Sequence, residues 1–183
     1  MNKIVIEGEN RLEGSVRING AKNAALPIMA ACLLLHGPSR IKGIPNIIDI
    51  QTQSEILMNL GGEVKKHEDG TIEIIFRDGE NNDKFTAPYE LVRKMRASIC
   101  VLGPLLSKRG RAKVSYPGGC VIGQRPIDLH TKGPAALGAQ IETTEGYITA
   151  SAEKLKGTNI SFTGKTVLGT CNVMSAAVLA EGT

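Results

Sequence analysis

The chain has 183 residues and a formal net charge of +4, enough length for one well-filled core or two small lobes. Apolar residues make up 42% and charged residues 22%, which is the balance of a globular protein and excludes a disordered one. With no tryptophan, 3% aromatics and no long Lys/Arg run, the chain has neither the stacking platforms nor the basic arm that nucleic-acid binding needs. Lys65-Lys66 and Lys108-Arg109 are short, lie near glycines and read as solvated loop charges. The mild positive balance suits small anionic substrates such as phosphates.

In chain order, Ile4-Val5-Ile6-Glu7-Gly8 and Gly14 to Asn19 read as two short strands. Leu26, Met29, Ala30, Leu33 and Leu34 then fall on one face of an amphipathic helix that ends at Gly37. A strand from Arg40 to Ile44 follows, then a Pro/Gly loop, then a helix with Asp49 at its N-cap. That helix ends at Leu60-Gly61-Gly62 and leads into two strands joined by a turn at Asp69-Gly70. The order then recurs. Met95, Ser98, Ile99, Leu102 and Leu106 mark a helix ending at Gly110, followed by a strand from Ala112 to Tyr116 and a glycine-rich loop. Asp128 opens the next helix as its N-cap; this helix ends at Leu137-Gly138, and two strands turn at Glu145-Gly146. A third helix of the series starts near Asn172 and runs to Gly182.

The unit is helix–strand–helix–strand–strand, with boundaries near 22–94 and 95–167 and a third unit opening at 168–183. Three such units would close a barrel-like domain. The expectation is therefore an incomplete α/β lobe within a longer protein, with exposed apolar faces that favour self-association. The start Met1-Asn2-Lys3-Ile4-Val5-Ile6 has no signal-peptide character, which points to the cytoplasm and reduced thiols. The longest apolar run, Ala24 to Leu35, carries Pro27 and falls short of a membrane span.

Chemistry concentrates in Pro117-Gly118-Gly119-Cys120-Val121-Ile122-Gly123-Gln124-Arg125-Pro126. Three glycines and two prolines place Cys120 on a loop, where a thiol meets solvent, and Arg125 favours the thiolate or holds an anion. Cys32 and Cys100 lie in apolar helical runs and read as core, while Cys171 is ambiguous. The cysteines and three histidines show no metal-ligand spacing, and no cofactor is expected. Lys22 stands at a helix start beside Asn23, a poor place for a merely solvated lysine and a good one for binding an anion. Arg96 begins the equivalent helix of the second unit, so both starts point at one end of the lobe. Lys165-Thr166-Val167-Leu168-Gly169-Thr170 is a loop with one cation before the third helix.

Three co-linear blocks carry a resemblance. Arg17-Ile18-Asn19-Gly20-Ala21-Lys22-Asn23-Ala24-Ala25-Leu26-Pro27, Met95-Arg96-Ala97-Ser98 and Pro117 to His130 resemble the UDP-N-acetylglucosamine 1-carboxyvinyltransferases, and the tail Ala176 to Thr183 agrees. The resemblance implies an enolpyruvyl transferase fold, an inside-out α/β barrel of two lobes, each built from three βαβαββ units. Residues 1–21 would then be strands of the other lobe, and 22–183 most of one lobe. It implies transfer of an enolpyruvyl group from phosphoenolpyruvate to the 3-hydroxyl of UDP-N-acetylglucosamine, which opens peptidoglycan synthesis. Cys120 would be the general acid and the target of fosfomycin. Lys22 and Asn23 would hold phosphoenolpyruvate, and Arg96 an anionic group. Arg125, Pro126, Ile127, Asp128 and Leu129, with Lys165, Thr166, Val167 and Leu168, would hold the nucleotide sugar. The family's base lies beyond Thr183, so this chain alone is expected to release no phosphate. Two alternatives remain: a nucleotide-sugar binder without catalysis, and an enolpyruvylshikimate phosphate synthase. The latter lacks the loop cysteine and opens with serine-lysine-serine where this chain has Lys22-Asn23-Ala24.

Overall fold

Gly61, Gly110 and Gly138, all at positive φ, stand at helix ends, and the strands that follow pair in the same way twice. The computed structural model describes residues 3–9, 11–77, 79–118 and 127–183. Helix α1 (Lys22–Ala31) continues through a 3-10 turn (Cys32–Leu34) into β1 (Gly37–Ile41), α2 (Ile48–Asn59), β2 (Glu63–Lys66) and β3 (Ile72–Phe76). Counted from its first strand rather than from the helix near residue 95, the second unit adds β4 (Thr86–Ala87) and α3 (Tyr89–Val92). A 3-10 segment (Arg96–Val101) then runs directly into α4 (Leu102–Arg109), followed by β5 (Arg111–Ser115), α5 (Asp128–Ala136), β6 (Gln140–Thr144) and β7 (Tyr147–Ser151). Helix α6 (Val167–Ala177) comes last.

The sheets are β1-β3-β2 and β4-β5-β7-β6. With β1, β2 and β3 set against β5, β6 and β7, the two orders coincide, and every pair in both is antiparallel. Strand β4 lies parallel to β5, which gives the second unit its βαβαββ form. A parallel bridge between Lys156 and Glu181, on either side of α6, begins the same strand–helix–strand step again. Gly110, at φ 69°, closes α4 in a left-handed conformation that costs other residues about 1 kcal/mol, and the chain leaves straight into β5. Among the described residues the two sheets do not close into a barrel.

One continuous core joins the units. Leu26, Met29, Ile56, Leu57, Leu60 and Ile74 fill it on the first side, and Ile99, Leu102, Leu105, Leu106, Leu137 and Ile148 on the second. Arg109 crosses the seam: its Nη2 donates to the Leu60 carbonyl at 2.9 Å, its Nη1 donates to the Lys84 carbonyl, and its guanidinium lies over Phe76. Helix α6 packs at very short range on α4 and α5. A methyl group on Gly103 would stand 2.1 Å from the Asn172 carbonyl oxygen, and one on Gly133 2.1 Å from Val173 Cγ2. Within that contact the Gly103 N–H donates to Asn172 Oδ1 at 2.7 Å.

Gly61, Gly110 and Gly138 at helix ends, both hairpin turns and the repeat order match the sequence expectation, and several details differ: the first helical run stops at Leu34, so that Gly37 opens β1, and α6 stops at Ala177, short of Gly182. Residues 3–9 and 11–20 form no strand, because a strand exists only where its backbone groups are paired; Ile4, Ile6, Leu12, Val16 and Ile18 stand exposed. Strand β1 starts at Gly37 and not at Arg40. Neither Asp49 nor Asp128 is an N-cap: both sit in the first turn, where the helix dipole still favours a carboxylate, and the caps are Ile47 and Ile127. Helix α6 starts five residues before Asn172, because the Thr166 hydroxyl accepts from the Gly169 N–H at 3.1 Å and caps it. Strand β4 and helix α3 have sequences too short to announce themselves. Among the described residues no helix is long and apolar enough to cross a membrane.

Gly103→Ala should lower stability to urea by about 1–3 kcal/mol, since helix α6 must retreat to admit the methyl group. Gly164→Ala, which meets nothing within 4 Å, should stay within about 0.5 kcal/mol of the parent in the same titration.

A candidate anion-binding cleft at converging helix starts

A cleft of about 730 Å³ opens where several helical segments begin. Its walls are the start of α1 (Lys22, Asn23, Leu26), Asp49 of α2, Lys94 to Ala97 around the 3-10 start, Leu129 and His130 of α5, and Lys165 to Leu168 at the start of α6. The first N–H groups of a helix have no partner within it and carry partial positive charge. Convergence of such ends with lysine and arginine makes an anion site before any ligand arrives. Two prolines add acceptors of the opposite kind. Pro27 in α1 and Pro134 in α5 have no N–H to offer the carbonyls of Asn23 and His130, four residues earlier on the same wall.

Charge in the cleft is partly balanced from within. Lys22 Nζ lies 2.7 Å from Asp49 Oδ2, and Lys94 Nζ lies 3.1 Å from Glu55 Oε2. Arg96 and Lys165 add two further cations. His130 is buried, with 3% of its surface exposed. Burial, with the nearby charge of Arg96, pushes its imidazolium pKa down to about 4, against a small opposing effect of Asp128. The ring is therefore neutral at physiological pH. Its Nδ1 lies 3.3 Å from Asn172 Nδ2.

Eight residues expected from the sequence line this one cleft: Lys22, Asn23, Arg96, Leu129, Lys165, Thr166, Val167 and Leu168. Ile127 and Asp128 immediately precede its α5 wall, and Asp128 faces Lys132 at 3.6 Å. Cys120, Arg125 and Pro126 lie outside the described residues. Gly118 is packed so closely on Arg93 that a Cβ would stand 2.5 Å from its carbonyl oxygen, next to Lys94 of the wall; Ile127 precedes α5. Val167 to Thr170, read from the sequence as loop, are the first turn of α6. Cys32 and Cys100 are core residues as expected. Burial raises both thiols, Cys100 to about 12 with a further push from Cys171, and keeps them unreactive. Asp49, expected only as an N-cap, Lys94, expected only as a surface charge, and His130, given no role, also belong to the cleft. The signal for His130 was present: it falls three residues before Gly133 and four before Pro134, on the buried face of α5. No cluster of metal-binding side chains occurs among the described residues.

The sequence profile of the EPSP synthase (3-phosphoshikimate 1-carboxyvinyltransferase) family matches residues 6–183. The chain belongs to this family. Among its relatives are UDP-N-acetylglucosamine 1-carboxyvinyltransferases from Halorhodospira halophila, 49% identical over 183 residues, and from Carboxydothermus hydrogenoformans, 53% identical over 182. Both alignments cover 100% of this chain, which spans 43% and 42% of those proteins. Solved structures of the family share the fold. The enolpyruvyl transferase NikO from Streptomyces tendae superposes with a TM-score of 0.64 at 24% identity, over 81% of this chain and 32% of its own. EPSP synthase from Acinetobacter baumannii gives 0.68 at 16% identity, over 92% and 39%. The α/β enolpyruvyl transferase fold expected from the sequence is thus established for this chain.

His130 has a consequence for stability. Its folded pKa, about 4, lies below the ordinary 6.5, so the unfolded chain takes up the proton first as pH falls. The effect is absent above pH 6.5, grows as pH falls toward 4, and reaches about 3 kcal/mol of lost stability. Urea titrations between those two pH values should show stability falling with acidification, and His130→Gln should flatten the slope. An equal slope in the variant would assign the loss to other groups.

Proposed function

We propose that this chain carries the cysteine-loop half of an enolpyruvyl transferase whose acceptor is UDP-N-acetylglucosamine, acting in the cytoplasm at the start of peptidoglycan synthesis. The observation that carries the reading is the gathering of Lys22, Asn23, Arg96 and Lys165 to Leu168 around one cleft of small-molecule size. The names of relatives about half identical over the whole chain support the choice of acceptor. So does the opening Lys22-Asn23-Ala24, which departs from the serine-lysine-serine expected of a shikimate enzyme.

In this reading the acceptor's 3-hydroxyl oxygen attacks C2 of phosphoenolpyruvate and loses its proton to a base. The methylene carbon takes a proton from the Cys120 thiol, giving a tetrahedral adduct with a methyl group. Loss of phosphate from C2 and return of a methyl proton restore the enol ether, so the atoms balance without a redox step. Lys22 and Asn23 hold the phosphate and carboxylate of phosphoenolpyruvate. Lys22 is available once the ligand's charge replaces that of Asp49, 2.7 Å away. Arg96 and the start of α6 face the diphosphate, with backbone N–H groups and Lys165 as donors. Arg125, Pro126, Ile127, Asp128 and Leu129 contact the nucleotide.

Calorimetric titration should detect UDP-N-acetylglucosamine binding to the chain. Arg96→Ala should weaken it about tenfold or more, as expected for a lost charged hydrogen bond, whereas Lys3→Ala should leave it unchanged. Equal affinities for parent and Arg96→Ala would remove the cleft from nucleotide-sugar binding. Fosfomycin, an epoxide, should alkylate Cys120 ahead of Cys32 and Cys100, whose thiols are buried, and Cys120→Ser should abolish the adduct. Peptide mass mapping that found the label on Cys32 or Cys100 first would sink the assignment of the acid.

A further inference from the structure

The proton on His130 has a definite place, and donor chemistry alone fixes it. The Gly103 N–H can only donate, so the Asn172 atom 2.7 Å from it is the carbonyl oxygen Oδ1. The other end of the amide is then Nδ2, which also can only donate, and it lies 3.3 Å from His130 Nδ1. Nδ1 therefore accepts through its lone pair, and the neutral ring carries its single proton on Nε2. Neither partner has room to turn. Asn172 is fully buried, His130 nearly so, and position 103 admits no side chain. The chain reaches this arrangement from three elements: the start of α4, the inner face of α5 and the second turn of α6.

We propose that Asn172 is a positioning residue of the cleft: by holding Nδ1, it presents Nε2–H of His130 as a neutral donor to an acceptor oxygen of the bound nucleotide sugar, a role that rests on the substrate reading given above. His130 belongs to the cleft wall, and Asn172 lies behind it. A neutral donor is what this wall can hold. The charged groups acting on the ring are Arg96, from the 3-10 segment, and Asp128, from its own helix, and the former opposes a second proton. A buried asparagine that served packing alone would have no reason to dictate which nitrogen of its neighbour faces a ligand.

The test uses the 183-residue chain labelled with 15N-histidine, with His130 distinguished from His36 and His67 by the His130→Gln spectrum. The parent should show a lone-pair Nδ1 and a protonated Nε2 from about pH 9 to about pH 6, and its affinity for UDP-N-acetylglucosamine should not change over that range on account of this ring. The Nε2–H resonance should shift on saturation with the nucleotide sugar. In Asn172→Asp one carboxylate oxygen still accepts from Gly103, and the other demands a proton on Nδ1. Nε2 then becomes an acceptor near pH 9, and affinity should fall about tenfold there. Affinity should recover toward pH 6, as the ring gains its second proton beside the new carboxylate. Affinity weakened equally at every pH would mark Asn172 as purely structural and overturn the proposal. If Asn172→Asp does not fold, the parent spectrum still decides. A protonated Nδ1, or an Nε2–H that does not move when the ligand saturates the chain, overturns it. A parent chain that keeps the expected tautomer and binds no UDP-N-acetylglucosamine would count against the substrate and leave the hold of Asn172 on the ring intact.

Discussion

Everything that makes the cleft depends on how closely α6 approaches α4 and α5. The closeness is set by two glycines and one amide. Gly103 and Gly133 remove the side chains that would keep the helices apart, and Asn172 uses the space to satisfy both a backbone donor and an imidazole nitrogen. An amide buried without partners costs about 1–3 kcal/mol, so this contact is stable only when the three helices sit in one relative position. That position brings the start of α6, with Lys165 and Thr166, onto the same opening as the starts of α1 and the 3-10 segment. Packing and chemistry are therefore one constraint seen from two sides.

The cleft is also a case of charges arranged for a partner that is not part of the fold. Lys22, Lys94, Arg96 and Lys165 crowd a region where helix ends are already positive, and Lys22 and Lys94 face carboxylates at ion-pair distance. Lys22 is half exposed, so its pair with Asp49 contributes little to stability. A phosphate or carboxylate can take the place of Asp49 at small energetic cost. The neutral His130 beside these cations fits the same logic, since a further positive charge there would repel Arg96.

How much of this was legible in the sequence follows from the range of each interaction. Local signals of turning were readable where a glycine must adopt positive φ, while the N-caps expected at Asp49 and Asp128 fall instead on Ile47 and Ile127. Gly61, Gly110 and Gly138 end helices because the chain must turn left-handed there, and Asp69-Gly70 and Glu145-Gly146 turn hairpins. The repeat order emerged from those marks alone, and the helix starts it aligned, Lys22 and Arg96, do meet. Signals that depend on a distant partner were not readable. Ile4 to Ile6 and Val16 to Ile18 alternate like strands, yet pairing is not a property of the segment that pairs. The start of α6 was placed at Asn172, where the apolar run strengthens, although Thr166 had announced it with a hydroxyl three residues before Gly169. His130 and Asp49 joined the site through tertiary contacts across 42 residues in one case and a salt bridge from α2 to α1 in the other.

Arg109 gives the duplication a different character from that of a chain of beads. The last carbonyls of a helix ordinarily find their partners in the residues that follow or in water. Here the Leu60 carbonyl at the end of α2 is satisfied by a guanidinium from α4, one unit later in the chain, and the same group reaches Lys84 in the connection between the units. The first unit thus borrows its final cap from the second. Cutting the chain at the apparent boundary, or shuffling the units as interchangeable parts, would leave a helix of the first unit without its end. The repeat is an inheritance in sequence and topology, while stability belongs to the pair.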